Sequence, residues 1–256
     1  MERNIWIAII AASFILFAVA GAEELAVKTS SLRPEIALIK RAFEAKVGKL
    51  QLPESYLIST AEHCQSQILA NPEFQYSQCF FYVDRNPRQQ VGMVCFWDSI
   101  LRKVEVLGTD KVSTGNPDRP GFYETPVGFL KNTASIMGYR AKGTKNSKGW
   151  RGLGAAGSRV WDFGWQKTWK NGYLINIRLL MHATDPDQGE PRLGYVDSKG
   201  CIRVSAKLNY FLDHYGIIDQ EYEVADKVKR IWLLRANREP TRFAGKFVLV
   251  GDSRNY

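Results

Sequence analysis

A cysteine that follows a glycine inside a run of turn-formers can present its thiol to a substrate. A histidine delivered by an apolar run upstream can serve that thiol as a base. Here the cysteine is Cys201, in Ser198-Lys199-Gly200-Cys201-Ile202-Arg203, and the histidine is His182, in Met181-His182-Ala183-Thr184. Such a pair performs acyl transfer: the sulfur attacks a carbonyl carbon while the imidazole moves the proton. Gly200 admits a tight turn and a close backbone approach. The N–H groups around Gly200 and Cys201 can face a developing oxyanion. Ser198 and Thr184 read as hydrogen bonders that shape the site. Lys199 is expected to set an ammonium beside the thiol, favouring the thiolate.

The elements that must position these groups read as strands more than helices. Tyr173 to Met181 is a strand-like run that ends on His182. Cys79 to Asp84, Val91 to Trp97, Val104 to Leu107, Thr125 to Phe129 and Gly245 to Val250 are further extended stretches, punctuated by Arg85-Asn86-Pro87-Arg88 and by a Pro/Gly-rich loop over 116–121. Ser205 can cap a helix carrying Leu208, Phe211 and Leu212 that stops at Gly216, with His214 in the last turn, where a cation suits the dipole. A helical stretch is expected around Val224 to Leu234. Strands do not alternate with helices, so the fold class is mainly β, a sandwich or barrel with a few helices. Residues 23–78 read as a helical accessory segment: Pro34-Glu35 opens one apolar pattern, and Tyr56 through Leu69 makes a second. The glycines over 138–159 fit a flap or irregular connection and form no phosphate-binding loop. Trp161, Phe163, Trp165, Trp169 and Tyr173 follow, a cluster that fits core or flap packing better than sugar stacking.

At 256 residues, 45% of them apolar, the chain can fill one main core. The net charge of +9 suits an acidic partner, but no Lys/Arg run is long enough for a nucleic-acid arm, and no nucleic acid is expected. Glu2 and Arg3 precede an uncharged run over 5–22 with small residues at its end. This reads as an export signal or, uncleaved, as an inner-membrane anchor, and the remainder is expected in a periplasm or cell envelope. Besides Cys201 there are Cys64, Cys79 and Cys95. An oxidising compartment permits a disulfide, Cys79–Cys95 across a hairpin centred on Pro87 or Cys64–Cys79; otherwise all three are buried small hydrophobes.

Taken together, these residues resemble the L,D-transpeptidases with the YkuD-type catalytic domain. The resemblance rests on four stretches in order: Val112-Ser113-Thr114-Gly115, Thr125-Pro126-Val127-Gly128-Phe129, His182, and Ser198-Lys199-Gly200-Cys201-Ile202-Arg203. It covers roughly 79–250. The family pattern has His where this chain has Lys199, and Gly where it has Ala183. The resemblance implies an exported peptidoglycan enzyme in which Cys201, His182 and Gly200 are catalytic, while Arg203, Ser198, Thr184 and Lys199 contact or shape the substrate site. The substrate would be a tetrapeptide stem that loses its terminal D-Ala, and the acyl group would pass to an amine. No metal or organic cofactor is implied. Two alternatives stay open: water as the acceptor, giving a carboxypeptidase or amidase, and a non-catalytic wall-binding protein that keeps the fold. On this reading the chain divides into 1–22, the accessory segment 23–78, and a catalytic domain over 79–256.

Overall fold

The computed structural model describes residues 33–256. The expected signal or anchor over 5–22 lies outside the described residues, and no helix among those described is long and apolar enough to cross a membrane. The chain divides into two compact units, 1–41 and 42–256. Helical backbone runs over 33–46 (α1), starting at Pro34 within one residue. The second unit holds everything that bears on chemistry.

Helix α2 (Glu54–Leu69) begins directly after Pro53. Nine strands follow among the described residues: β1 (Gln78–Asp84), β2 (Val91–Asp98), β3 (Lys103–Ser113), β4 (Gly128–Lys131), β5 (Tyr139–Arg140), β6 (Arg159–Lys170), β7 (Tyr173–Ala183), β8 (Ile202–Val204) and β9 (Phe247–Gly251). They form one mixed sheet in the order β4-β9-β1-β2-β3-β8-β7-β6-β5. The β1–β9 and β7–β8 pairs are parallel, and the others antiparallel. The mainly-β expectation holds, in the form of one continuous sheet. Two helices, α3 (Ala206–His214) and α4 (Gln220–Val228), lie between β8 and β9. As read from the sequence, Ser205 caps α3, its Oγ accepting from the Leu208 N–H at 3.0 Å.

The first half of the sheet is apolar on both faces: β1 is buried at every position and β2 at all but its last. On one face Phe80, Tyr82, Met93, Cys95 and Trp97 pack with Cys64 and Ile68 of α2. The described part of the accessory segment is thus helical, and its second helix shares a core with the sheet. On the other face Gly108 leaves room for Phe43, whose ring a Cβ would meet at 2.1 Å. The hairpin register pairs Cys79 with Phe96 and Phe80 with Cys95. That is one residue out from the alignment centred on Pro87. A one-residue slip puts the two thiols on opposite faces of the sheet, so the Cys79–Cys95 bridge does not form. Cys64 faces the side that carries Cys95, which rules out Cys64–Cys79 as well; the chain contains no disulfide.

The second half is built differently. Behind β6, the carboxylate of Asp219 collects Arg159 Nη2 at 3.2 Å, Trp161 Nε1 at 3.0 Å, Asn132 Nδ2 at 2.9 Å and Arg238 Nη2 at 2.7 Å. Arg140 makes a bidentate pair with Asp213, at 2.5 and 3.1 Å. Arg159 and Asp219 are fully buried. The strands β5 and β6 are therefore pinned to α3 and α4 by ions rather than by apolar contact alone.

The β6–β7 hairpin turns at Asn171-Gly172, both with positive φ. Such two-residue turns match the twist of the flanking strands. Only β7 was expected. β6, lying over the aromatic cluster, carries a bulge between Asp162 and Trp165. The bulge separates a buried base, 159–164, from a more exposed outer half. Trp161 and Phe163 are core, as expected, whereas Trp165, Trp169 and Tyr173 are exposed.

Candidate active site

Sheet register decides which of the candidate residues meet. Met181 pairs with Ile202 and His182 with Arg203 in the parallel β7–β8 pair. Cys201 therefore lies level with Leu180 at the entrance to β8. Side chains alternate along a strand, and paired residues share a face. One face thus carries Cys201, Arg203, Leu180 and His182, joined by Val160 and Asp162 of β6 and Tyr139 of β5. The opposite face carries the buried Met181, Ile202 and Val204. Leu180 separates the histidine position from the level of the thiol by about 7 Å along the strand.

The turn before Cys201 is held by a chain of hydrogen bonds. Gly200 has φ +132°, and a Cβ there would meet Ile177 Cδ1 at 2.9 Å, so glycine is required on both counts. Ser198 Oγ accepts from the Gly200 N–H at 3.0 Å and donates to the Cys201 carbonyl at 2.5 Å. The Ser198 N–H donates to the Thr114 carbonyl at 3.0 Å. Thr125, fully buried, donates its hydroxyl to the Gly200 carbonyl at 2.7 Å and accepts from the Gly115 N–H at 2.9 Å. Gly115 in turn approaches so closely that a Cβ would meet Gly200 Cα at 2.9 Å. One hydroxyl thus ties together three stretches that are far apart in the sequence: the Thr-Gly of 114–115, the Thr-Pro of 125–126, and the Gly-Cys of 200–201.

His182 is buried, and its Nδ1 lies 2.7 Å from the Ala183 carbonyl oxygen. Facing a carbonyl, that nitrogen must be the one that bears hydrogen. Nε2 then holds the lone pair, the tautomer a general base needs. Burial lowers the His182 pKa to about 4, with Arg203 acting in the same direction, so the ring is neutral at pH 7. The Cys201 thiol is half-buried. Burial raises its pKa, against the lowering by the Leu180 backbone and Arg203, with Asp162 raising it further. The resting pair is a thiol and a neutral imidazole.

This corrects two expectations. Lys199 is exposed, its ammonium 5.8 Å from the centre of the Phe122 ring, and the cation that acts on the thiol is Arg203. The Gly200 N–H, expected to face an oxyanion, donates in this structure to Ser198 Oγ. Ser198 shapes the turn, as read. Thr184 is buried, its N–H bonded to the Val204 carbonyl and its hydroxyl packed on Gly189, a brace for the loop after β7. Arg203 is half-buried and bonds Asp197 Oδ2 at 2.9 Å. The same carboxylate receives Arg119 at 3.1 Å and Arg192, leaving more positive than negative charge around Asp197.

Asp162, Asp197 and Tyr139 escaped sequence reasoning. Asp162 sits in the aromatic run, and only the strand register brings it near Cys201. It accepts from both Nε and Nη2 of Arg178, at 3.1 and 2.7 Å. Burial raises the pKa of the Tyr139 hydroxyl, with Asp162 and Cys201 adding to the effect. Tyr139 also walls a cavity of about 460 Å³ bounded by Arg140, the glycines of 143–154 and Trp232. The signal for Asp197 was its place directly before Ser198 among many arginines.

No protein-family model matches the sequence, and no curated protein matches it. Among solved structures, one match is the fused Zn-dependent amidase/peptidase/peptidoglycan-binding domain-containing protein from Clostridium acetobutylicum ATCC 824. It is 12% identical, with a TM-score of 0.32 over 78% of this chain and 63% of that one. This chain thus spans less than two thirds of that protein's length, and a likeness at this level carries no argument about activity.

Proposed function

We propose that this chain is an exported cysteine acyltransferase of the L,D-transpeptidase type, acting on tetrapeptide stems of peptidoglycan in the cell envelope. The observation that carries the reading is the Thr125 hydroxyl, which joins three of the four quoted stretches around Cys201, while the fourth, His182, shares the thiol's face of the sheet.

The residues support a balanced sequence. As Cys201 Sγ attacks the carbonyl carbon of the third stem residue, His182 Nε2 takes the thiol proton. The carbonyl becomes an oxyanion, which on this reading the Cys201 N–H faces. On collapse the C–N bond to D-Ala breaks, and the leaving nitrogen receives the proton from His182. A thioester remains. An acceptor amine attacks it, gives its proton to His182, and the proton returns to the sulfur. A neutral histidine has the lone pair to take the thiol proton, and its lowered pKa favours passing that proton on to the leaving nitrogen. The surplus of guanidinium around Asp197 suits a carboxylate-bearing substrate.

The test is product mass. The purified full-length chain and its Cys201→Ala variant are each incubated with disaccharide-tetrapeptide. Dimers lighter than two monomers by one D-Ala, absent with the variant, are the expected result. Tripeptide alone assigns water as acceptor. Unchanged substrate with both proteins overturns the enzymatic reading and favours a wall-binding protein.

A further inference from the structure

The outer half of the β6–β7 hairpin has one face that nothing in the chain covers. Trp165, Lys167 and Trp169 of β6 pair with Arg178, Asn176 and Leu174 of β7, and all six side chains are exposed. Trp165 is 68% exposed and Trp169 63%. Two indoles left in water on one strand face are a mark of a binding surface rather than of packing.

The hairpin is not a loose flap awaiting a core. Its rear face is fastened: Thr168 Oγ1 donates to the Glu124 carbonyl at 2.8 Å, and Lys170 Nζ donates to the Pro117 and Arg119 carbonyls. The front is therefore held open. Paired residues share a face, so this front is continuous with the one that carries Leu180, His182 and Cys201. Trp165 lies level with Arg178, about 7 Å along β7 from the level of the thiol, and Trp169 lies about 13 Å beyond Trp165.

We propose that this face is a binding track for a polysaccharide strand that leads into the Cys201 site. Flat indole rings match the apolar C–H faces of pyranose rings, and the polar side chains between them, Lys167 and Asn176, match hydroxyl and acetamido groups. Charge argues against a nucleic acid. A phosphate backbone needs a row of unpaired cations, yet Arg178 is committed to Asp162, which leaves Lys167 as the remaining cation of the face. The proposal deepens the peptidoglycan reading by adding a glycan subsite to a peptide site, and it rests on that reading only for the identity of the sugar.

The full-length chain carrying Cys201→Ala, in which turnover cannot intervene, is titrated with chitin-derived oligosaccharides by calorimetry and tryptophan emission. Saturable binding with an emission change is expected. Trp165→Ala and Trp169→Ala should each weaken it at least about 10-fold, or ~1.4 kcal/mol. Trp165→Phe and Trp169→Phe, which keep a flat ring, should lose less. Melting temperatures of all variants should match the parent, because both rings are exposed. Equal affinity in the parent and both alanine variants overturns the proposal, as does the absence of saturable sugar binding. Tighter binding of oligo-deoxythymidine, lost in the same variants, also overturns it in favour of a nucleic acid. Failure of the transfer assay with sugar binding intact would remove the enzymatic reading and leave the track standing. Transfer with unaltered sugar binding in the tryptophan variants would remove the track alone.

Discussion

The two halves of the sheet solve the burial problem in opposite ways. The half built on β1 and β2 is apolar on both faces and stacked with aromatic rings, with Phe74 and Phe247 centroids 4.6 Å apart. The half built on β6, β7 and β8 adds buried arginines and carboxylates behind β5 and β6 to an apolar rear of Trp161, Met181, Ile202 and Val204, and leaves its front to Cys201, His182 and the exposed tryptophans. Apolar contact is non-directional, so a core of that kind tolerates small shifts. Buried ion pairs are directional and costly to leave incomplete. The difference teaches that strands which must present groups in fixed register are fastened by directional bonds, and strands that only fill space are not.

The comparison is broken most sharply by paired substitutions. Asp219→Asn keeps the shape and removes the charge, leaving Arg159 and Arg238 without their shared carboxylate, and should cost about 3–5 kcal/mol. Phe80→Leu, in the apolar half, changes shape and keeps the chemistry, and should cost about 1–1.5 kcal/mol. Urea denaturation of both variants checks this. Equal losses would mean that the ionic half is held by apolar contact after all.

A smaller effect is expected from acid. The unfolded chain binds a proton at His182 near pH 6.5, whereas the folded chain does so only near 4. Stability from this residue is full above 6.5, falls as pH drops through that window, and levels off below about 4, a loss of ~3 kcal/mol. His182→Gln should lack this slope. Asp252, whose carboxyl Arg254 holds down at about 2, loses its contribution at lower pH and is common to both proteins.

Thr125→Val orphans the Gly200 carbonyl and the Gly115 N–H, at about 1–3 kcal/mol, and should slow acyl transfer more than it lowers the melting temperature. Transfer kinetics beside a thermal melt separate the two effects. Lys199→Ala should change least, within about 0.5 kcal/mol in stability and little in rate, because Lys199 is exposed and its ammonium lies over the Phe122 ring.

What could be read in advance follows the range of the forces involved. Cap, turn and strand signals are local, and Ser205, the helix from Tyr56, β1, β2 and β7 were all legible. That Cys201 and His182 each sit at a strand end was legible; that His182 pairs with Arg203 rather than with Cys201 was not. β6 was not, since its bulge at Phe163-Gly164 breaks the alternation that marks a strand. Register was read one residue out for Cys79 and Cys95, and that single step decides the face. Asp162 and Tyr139 reach the thiol's face only through strand pairing across long separations, which no local pattern encodes, while Asp197 gathers Arg192 and Arg203 from nearby and Arg119 from 78 residues away.

The Thr125 hydroxyl also separates a mount from its fittings. The turn bearing Cys201 is riveted to 114–115 and 125, so the segments 116–124 and 184–197 are connections whose ends are fixed independently of their length. Lengthening such a loop costs little in closure entropy. The molecule is thereby organised so that the segments around Cys201 can be exchanged piece by piece while the sulfur stays where it is.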